Sequence, residues 1–200
     1  RNFVKEKYKT LDNLNEAWGT VFWNQTYTDW EQIYVPRPVL NNGCNPHLRL
    51  DYYRFISEST ISFCKMQAEI ISKYKKDGDY ITTNGMFWNL DNHKMAEECL
   101  DVYTYDSYPS FARSICPHFG IMEQQSGAGG WTTRMEGPAP RPGQLTLWAM
   151  QSVAHGADYI SFFRWRTCTF STEMYWHGIL DYDNRENRKY REVQDFYKKL

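Results

Sequence analysis

No apolar run in these 200 residues approaches the length of about 20 that a bilayer-spanning helix requires, so a membrane is not an expected partner. Charge of neither sign dominates. Lys and Arg number 23, Asp and Glu 24, and they are mixed along the chain. Without a basic stripe, nucleic acid is not an expected partner either. Cysteine is sparse and unpatterned: Cys44, Cys64, Cys99, Cys116 and Cys168 are odd in number, widely spaced, and include no Cys-x-x-Cys pair. That spacing argues against a zinc knuckle or a disulfide framework and for mostly buried thiols in a reducing compartment, here the cytoplasm; no metal site is expected. No Gly-x-Gly-x-x-Gly turn and no phosphate loop occurs, so nucleotide chemistry has no support and no cofactor is expected. The opening Arg1-Asn2-Phe3-Val4-Lys5 has neither an initiator Met nor a signal-peptide pattern. It reads like the middle of a helix, and the expectation is a chain that begins inside a larger protein.

Aromatic residues, by contrast, are plentiful at 17%. Their apolar faces and polar edges suit core packing and sugar stacking alike. Leu11, Leu14, Ala17 and Trp18 share one face of a short helix. Residues 24–48, with Pro36, Pro38, Asn41-Asn42-Gly43 and Pro46, have loop chemistry. A long helix is predicted from Leu50 to Lys75, with Tyr53, Ile56, Phe63, Cys64, Ile70, Ile71 and Tyr74 at helical spacing, ended by Asp77-Gly78-Asp79. The period then changes. Strands are predicted at 80–83, 102–105, 119–122 and 159–163. Helices are predicted at 92–100, at 144–155 between Pro142 and Gly156, and at 185–200. Alternating helices and strands without strict polar alternation indicate a parallel sheet covered by helices. Half of an eight-stranded α/β barrel fits this pattern, and an open doubly wound sheet fits it nearly as well.

In parallel α/β folds the chemistry sits just past the C-terminal strand ends. Those ends offer Asp106-Ser107-Tyr108-Pro109, then Glu123-Gln124-Gln125-Ser126-Gly127, then Arg164-Trp165-Arg166 followed by Glu173 and His177. Glu123 follows an apolar strand and precedes a glycine-containing turn, with Tyr108 ending the adjacent strand and Trp131 on the same loop. A lone Glu is more often half of a structural ion pair. A carboxylate among Tyr, Trp, Arg and His at one barrel face is what glycoside hydrolysis uses, where one carboxyl group attacks the anomeric carbon and a second protonates the leaving oxygen.

Met122-Glu123-Gln124-Gln125-Ser126-Gly127 with Trp131 resembles the nucleophile segment of glycoside hydrolase family 42 β-galactosidases. Phe162-Phe163-Arg164-Trp165-Arg166 and Thr172-Glu173-Met174-Tyr175-Trp176-His177-Gly178 resemble that family's eighth strand and the loop after it. Leu14-Asn15-Glu16-Ala17-Trp18-Gly19-Thr20 and Leu50-Asp51-Tyr52-Tyr53-Arg54-Phe55 match its middle, so the likeness runs from end to end. The resemblance implies a partial (β/α)8 barrel, strands five to eight with their helices, from the C-terminal half of a catalytic barrel spanning residues 1–200. It implies retaining hydrolysis of terminal β-D-galactosides with Glu123 as nucleophile on strand seven, and a homo-oligomer for the intact enzyme. Trp131, Glu173 and His177 would contact galactose, Phe163 would pack on the sugar, and Tyr108 would hold Glu123. Core packing is an equal alternative for Phe163 and Trp165, and a loop-ordering pair is the alternative for Glu173 and His177.

Two departures qualify this picture. The family's acid/base Glu lies in an Asn-Glu pair at the end of strand four, upstream of Arg1, and the cysteine cluster that binds zinc in some members would lie upstream too. Asn15-Glu16 belongs to a helical segment and reads as structural. Second, only Ser110 to His118 separate Pro109 from Phe119, which leaves no room for a full crossover helix with two loops. Half a barrel has two open sheet edges and a bare inner face, so the isolated chain is expected to be poorly stable or associated, and inactive on aryl β-galactosides. The alternative function is an inactive piece that at most binds sugar.

Overall fold

The structure is a computed structural model, and it describes residues 1–37, 44–85, 88–131 and 137–200. It divides into two compact units, Arg1–Glu69 with Phe87–Asp91, and Ile70–Met86 with Asn92–Leu200.

The first unit is helical. Helices α1 (Asn2–Tyr8) and α2 (Leu11–Trp18) meet at Lys9-Thr10, where the Thr10 side chain caps α2 by accepting from the Asn13 amide. Gly19, at φ 63°, ends α2 in the left-handed conformation that favours glycine. Val4, Leu14, Trp18 and Ile33 form the core, with Phe3, Tyr8, Leu11, Tyr27, Trp30 and Leu48 packed around them. Asn15 is tied down on both sides of its amide: it donates to the Tyr27 carbonyl and accepts from the Thr20 hydroxyl and the Tyr27 amide. Glu16 points to solvent.

The predicted loop at 24–48 contains short 3-10 turns at Phe22–Asn24 and Trp30–Gln32; Pro38 and Asn41-Asn42-Gly43 lie outside the described residues. Helix α3 runs Pro46–Ile71, starting and ending four residues earlier than the spacing predicts. The reason at the start is chemical. The Asn45 side chain accepts from the His47 amide as an N-cap, and Pro46 suits the first helical position. The buried face of α3 also differs from the predicted one. Asp51, Ser57, Ile61 and Ala68 are buried, whereas Tyr53, Phe63, Ile70, Ile71 and Tyr74 are exposed. Ser57, Ile61 and Ala68 share one stripe at helical spacing, Asp51 lies to one side of it, and the apolar residues outside the stripe face water.

Among the described residues, the second unit holds a parallel sheet of three strands in the order β1 (Tyr103–Tyr105), β2 (Phe119–Gln125), β3 (Tyr159–Phe163). Each strand neighbours the next in sequence, as in a barrel wall. The predicted strand at 80–83 is not formed. The Ile81 carbonyl accepts from the amides of Asp101 and Val102, and ladder pairing beside β1 begins only at Asn84, as an isolated parallel bridge to Thr104. Helix α4 (Asn92–Cys99) precedes β1. Between β1 and β2 there is a two-turn helix, α5 (Pro109–Ile115), where no full helix with two loops was expected. It fits because Pro109 starts it almost at the strand end, and Phe111 then covers Tyr105 edge-to-face with ring centroids 5.4 Å apart.

Helix α6 (Gln144–Ala154) leads to β3, and α7 (Arg188–Tyr197) closes the unit. Leu145, Ile179 and Val193 form a small core with Trp148, Phe162 and Tyr190. No helix among the described residues is long and apolar enough to cross a membrane. None of the five cysteines is in a disulfide, but the expectation of mostly buried thiols is corrected: Cys99 is buried and the other four are half-buried, because they sit on loops and helix flanks rather than core stripes.

Candidate active site

The geometry begins with an irregularity in the sheet. Ile121 pairs with Ile160, but Gln124 pairs with Phe162, so β2 spends one more residue than β3 over the same stretch. The extra residue falls at Met122-Glu123. A bulge of this kind bends the strand and re-aims a side chain, here turning Glu123 out of the ladder while Ile121 and Gln124 stay buried. The apolar run that predicts the strand gives no sign of it.

Glu123 faces a cavity of about 1070 Å³ past the C-terminal strand ends. Tyr108, Trp131, Phe163, Glu173 and His177, all singled out in the sequence, line the same cavity, as do Asp106, Gln125 and Trp176. Burial raises the Glu123 carboxyl above its ordinary range, and the negative charges of Asp106 and Glu173 push it further. Asp106 is itself raised by burial and is held by Asn84, whose side-chain amide donates to it at 2.6 Å. Glu173 has a partner of opposite charge, Arg164, at 3.1 Å.

Burial lowers the His177 imidazole, and the Lys189 ammonium lowers it further against the opposing pull of Asp181, so the ring is neutral at pH 7. His177 stands edge-on to Tyr182 at 5.2 Å rather than pairing with Glu173, so the alternative of a Glu173–His177 loop-ordering pair is not what the structure has. Trp131 and Trp176 meet edge-to-face at 5.6 Å. The Trp176 indole nitrogen is buried without a hydrogen-bond partner among the described residues. Phe163 and Trp165 part company. Phe163 lines the cavity beneath the Arg164 guanidinium, while Trp165 points away and packs edge-on against Tyr190 of α7.

Two loops interlock to set these positions. The Ser126 hydroxyl, fully buried, donates to the Phe163 carbonyl and lies within 3.2 Å of the His177 carbonyl. The His177 amide donates to the Ala128 carbonyl at 2.8 Å. A Cβ on Gly127 would lie 2.5 Å from the His177 carbonyl, and one on Gly129 would lie 2.3 Å from the Trp176 ring. Neither position has room for a side chain. Further along, the Ile179 amide donates to the Arg164 carbonyl at 2.7 Å, and Lys189 reaches from α7 to the Gly178 carbonyl. Sequence reasoning placed Asp106 and Arg164 at strand ends without giving them a role, and it missed Trp176 and the Arg164–Glu173 pair as parts of the site. Asp106 and Arg164 were detectable as strand-end residues, and Trp176 lies inside the quoted motif. Their pairing with distant residues had no sequence signal.

The chain as a whole is similar to proteins of known kind. The profile of a glycoside hydrolase family described as "Beta-galactosidase" matches residues 1–200. Beta-galactosidase BgaA of Clostridium cellulovorans is 35% identical across the whole chain, and Beta-galactosidase bgaB of Geobacillus kaustophilus is 36% identical across the whole chain. The chain covers 33% and 32% of these two relatives, so it spans about a third of their length. The crystal structure of a β-galactosidase from Bacillus circulans sp. alkalophilus superposes on 99% of the chain with a TM-score of 0.87 at 32% identity, and the chain covers 32% of it. A β-galactosidase from Rahnella sp. R3 gives a TM-score of 0.88 at 30% identity over the whole chain, again 32% of that protein. A profile match from first residue to last, with the parallel sheet superposing on these enzymes, settles the kinship: the chain belongs to glycoside hydrolase family 42, the β-galactosidase family.

Proposed function

We propose that these residues form strands five to eight of a (β/α)8 catalytic barrel that hydrolyses terminal β-D-galactosides with retention, and that Glu123 is the nucleophile. A Glu123 oxygen attacks the anomeric carbon, the glycosidic C–O bond breaks, and a carboxylic acid donates its proton to the leaving oxygen. Water then attacks the galactosyl ester, the same acid, now a base, takes the proton of the water, and the Glu123 carboxylate departs. The family pattern assigns that acid/base to an Asn-Glu pair outside these residues, and retention requires it about 5 Å from Glu123. Trp131 and Phe163 offer apolar faces to the sugar, Glu173 accepts from its hydroxyls, and a neutral His177 can donate and accept. Tyr108 orients Glu123. The site uses no cofactor, and the enzyme works in the cytoplasm as a homo-oligomer.

The observation that supports this reading best is the bulge that turns Glu123 from a parallel strand into a cavity also lined by Glu173, His177 and three tryptophans. Neighbouring negative charge suits a nucleophile, because forming the ester removes one charge from a crowded group. The test is Glu123→Ala in the complete enzyme. Turnover should fall by several orders of magnitude, and azide should restore part of it with an α-configured galactosyl azide as product, since the small anion attacks from the vacated face. A β-configured azide, or near-normal turnover without azide, would sink the assignment.

A further inference from the structure

The cavity does not end at the carboxylates. Its wall continues through Pro109, Ser110 and Phe111 on the first turn of α5 and through Trp148, Gln151 and Ser152 on α6. The α6 residues stand at i, i+3 and i+4, one face of the helix. The two helices are adjacent at this place, since the Ser110 hydroxyl and the His155 ring nitrogen Nε2 lie 2.9 Å apart. The short link from β1 to β2 leaves only two turns of α5 beside α6, and the seam between them opens into the cavity.

The chemistry of the two ends differs. Around Glu123 the wall carries Asp106, Glu173 and His177, whereas among the described residues the seam is lined by an indole, a phenyl ring, an amide and hydroxyls, with no charged side chain. The Gln151 side-chain amide has no protein partner among the described residues. An uncharged mixture of aromatic faces and polar groups suits a neutral, polyhydroxylated ligand better than an anionic or a wholly apolar one. The full volume, about 1070 Å³, lies just above the range of roughly 300–1,000 Å³ for small-molecule sites, more than a single hexose needs.

We infer that the seam between α5 and α6 is a second saccharide subsite, in which Trp148 and Gln151 bind a further sugar unit of an oligosaccharide whose galactose lies beside Glu123. This rests on the glycosidase reading of the Glu123 site. A ring over Trp148 would bury C–H faces while the Gln151 amide engages hydroxyls, so affinity and turnover should rise with chain length.

The experiment compares nitrophenyl β-galactoside with β-linked galactotriose in the complete enzyme, for wild type, Trp148→Ala and Gln151→Ala. Because Trp148 also packs on the Leu145 core, Gln151→Ala, on an exposed side chain, keeps the test independent of folding. Each variant should lose about tenfold in kcat/KM for galactotriose, the equivalent of about 1.4 kcal/mol, with nitrophenyl galactoside turnover within twofold of wild type. In parallel, calorimetry on Glu123→Ala should find galactotriose binding about tenfold tighter than galactose, with the gain lost in the seam variants. Equal affinity for the two sugars, or losses that are the same for both substrates, would overturn the subsite. A wild type that binds galactotriose through the seam but hydrolyses neither substrate would overturn the hydrolytic reading and leave the subsite standing.

Discussion

Asp51 can be weighed quantitatively. Its carboxylate is 2% exposed and accepts from the Tyr8 hydroxyl at 2.6 Å, the Trp18 indole at 3.1 Å, the Arg54 guanidinium at 3.0 Å and the Lys7 ammonium. It therefore ties α1, α2 and α3 together. Burial by itself would raise its pKa, but the four donors outweigh burial and bring it from 3.8 to about 2. The folded value lies below the unfolded one, so the stabilisation is present at neutral pH and is lost as pH falls through the folded value. At about 1.36 kcal/mol per pK unit the displacement is worth about 2.4 kcal/mol above pH 5. About 1 kcal/mol of that should go between pH 5 and pH 3, and about 1 more by pH 2.

Asp51→Asn removes the charge and leaves Lys7 and Arg54 without it. The cost at pH 7 should be about 3 kcal/mol, the low end for breaking a buried ion pair, since both cations keep some access to water. Urea unfolding of both proteins, followed through the amide resonances of α2 from pH 7 to pH 3, measures the difference. It should be constant down to pH 5 and then narrow by about 1 kcal/mol. A difference that stays the same across the whole range would refute the charge-based account and leave only a packing role.

The remaining predictions concern the site. His177 should titrate below 6.5 by NMR, and Lys189→Met should move it upward by removing the neighbouring positive charge; a wild-type value above 6.5 would contradict the burial seen here. Gly129→Ala places a methyl group 2.3 Å from the Trp176 ring. It should destabilise the protein by about 1–3 kcal/mol and change the near-ultraviolet dichroism of the Trp131–Trp176 pair; an unaltered melt and spectrum would show that the loops are not interlocked as described.

Much of the second unit was legible in the sequence because its signals are local. Apolar runs at 102–105, 119–122 and 159–163 predicted the three strands, and Pro142 and Gly156 bracketed α6. The segment at 80–83 failed because β-propensity cannot tell whether a neighbour offers a ladder: Ile81 bonds to the turn before β1 instead. On α3 the apolar spacing misled because a helix packed on one side buries only a narrow stripe, and Asp51, beside that stripe, is buried through its partners rather than its hydropathy. The candidate site residues were found through strand ends and motif, and they surround one cavity. What the sequence could not convey was the bulge at Met122-Glu123 and the pairing of Arg164 with Glu173, since both depend on residues brought together by folding.

The motif around Glu123 is then best understood as a backbone device as much as a chemical one. Only Glu123 in Met122-Glu123-Gln124-Gln125-Ser126-Gly127 faces the cavity with a carboxyl group. Gln125 donates to the Gly127 carbonyl at 2.7 Å and so braces the turn, Ser126 fastens it to the end of β3, and Gly127 lets the loop after β3 come within contact of its backbone. The same fastening positions His177 and Trp176, because they lie on the loop being gripped. A carboxylate whose neighbours are fixed by main-chain bonds meets little reorganisation as charge changes on it, which is what electrostatic catalysis requires. On the proposed mechanism the short distance in sequence between Glu123 and the glycines has a physical reason: the residue proposed to react and the residues that dock the second loop leave the same strand end within one turn of chain.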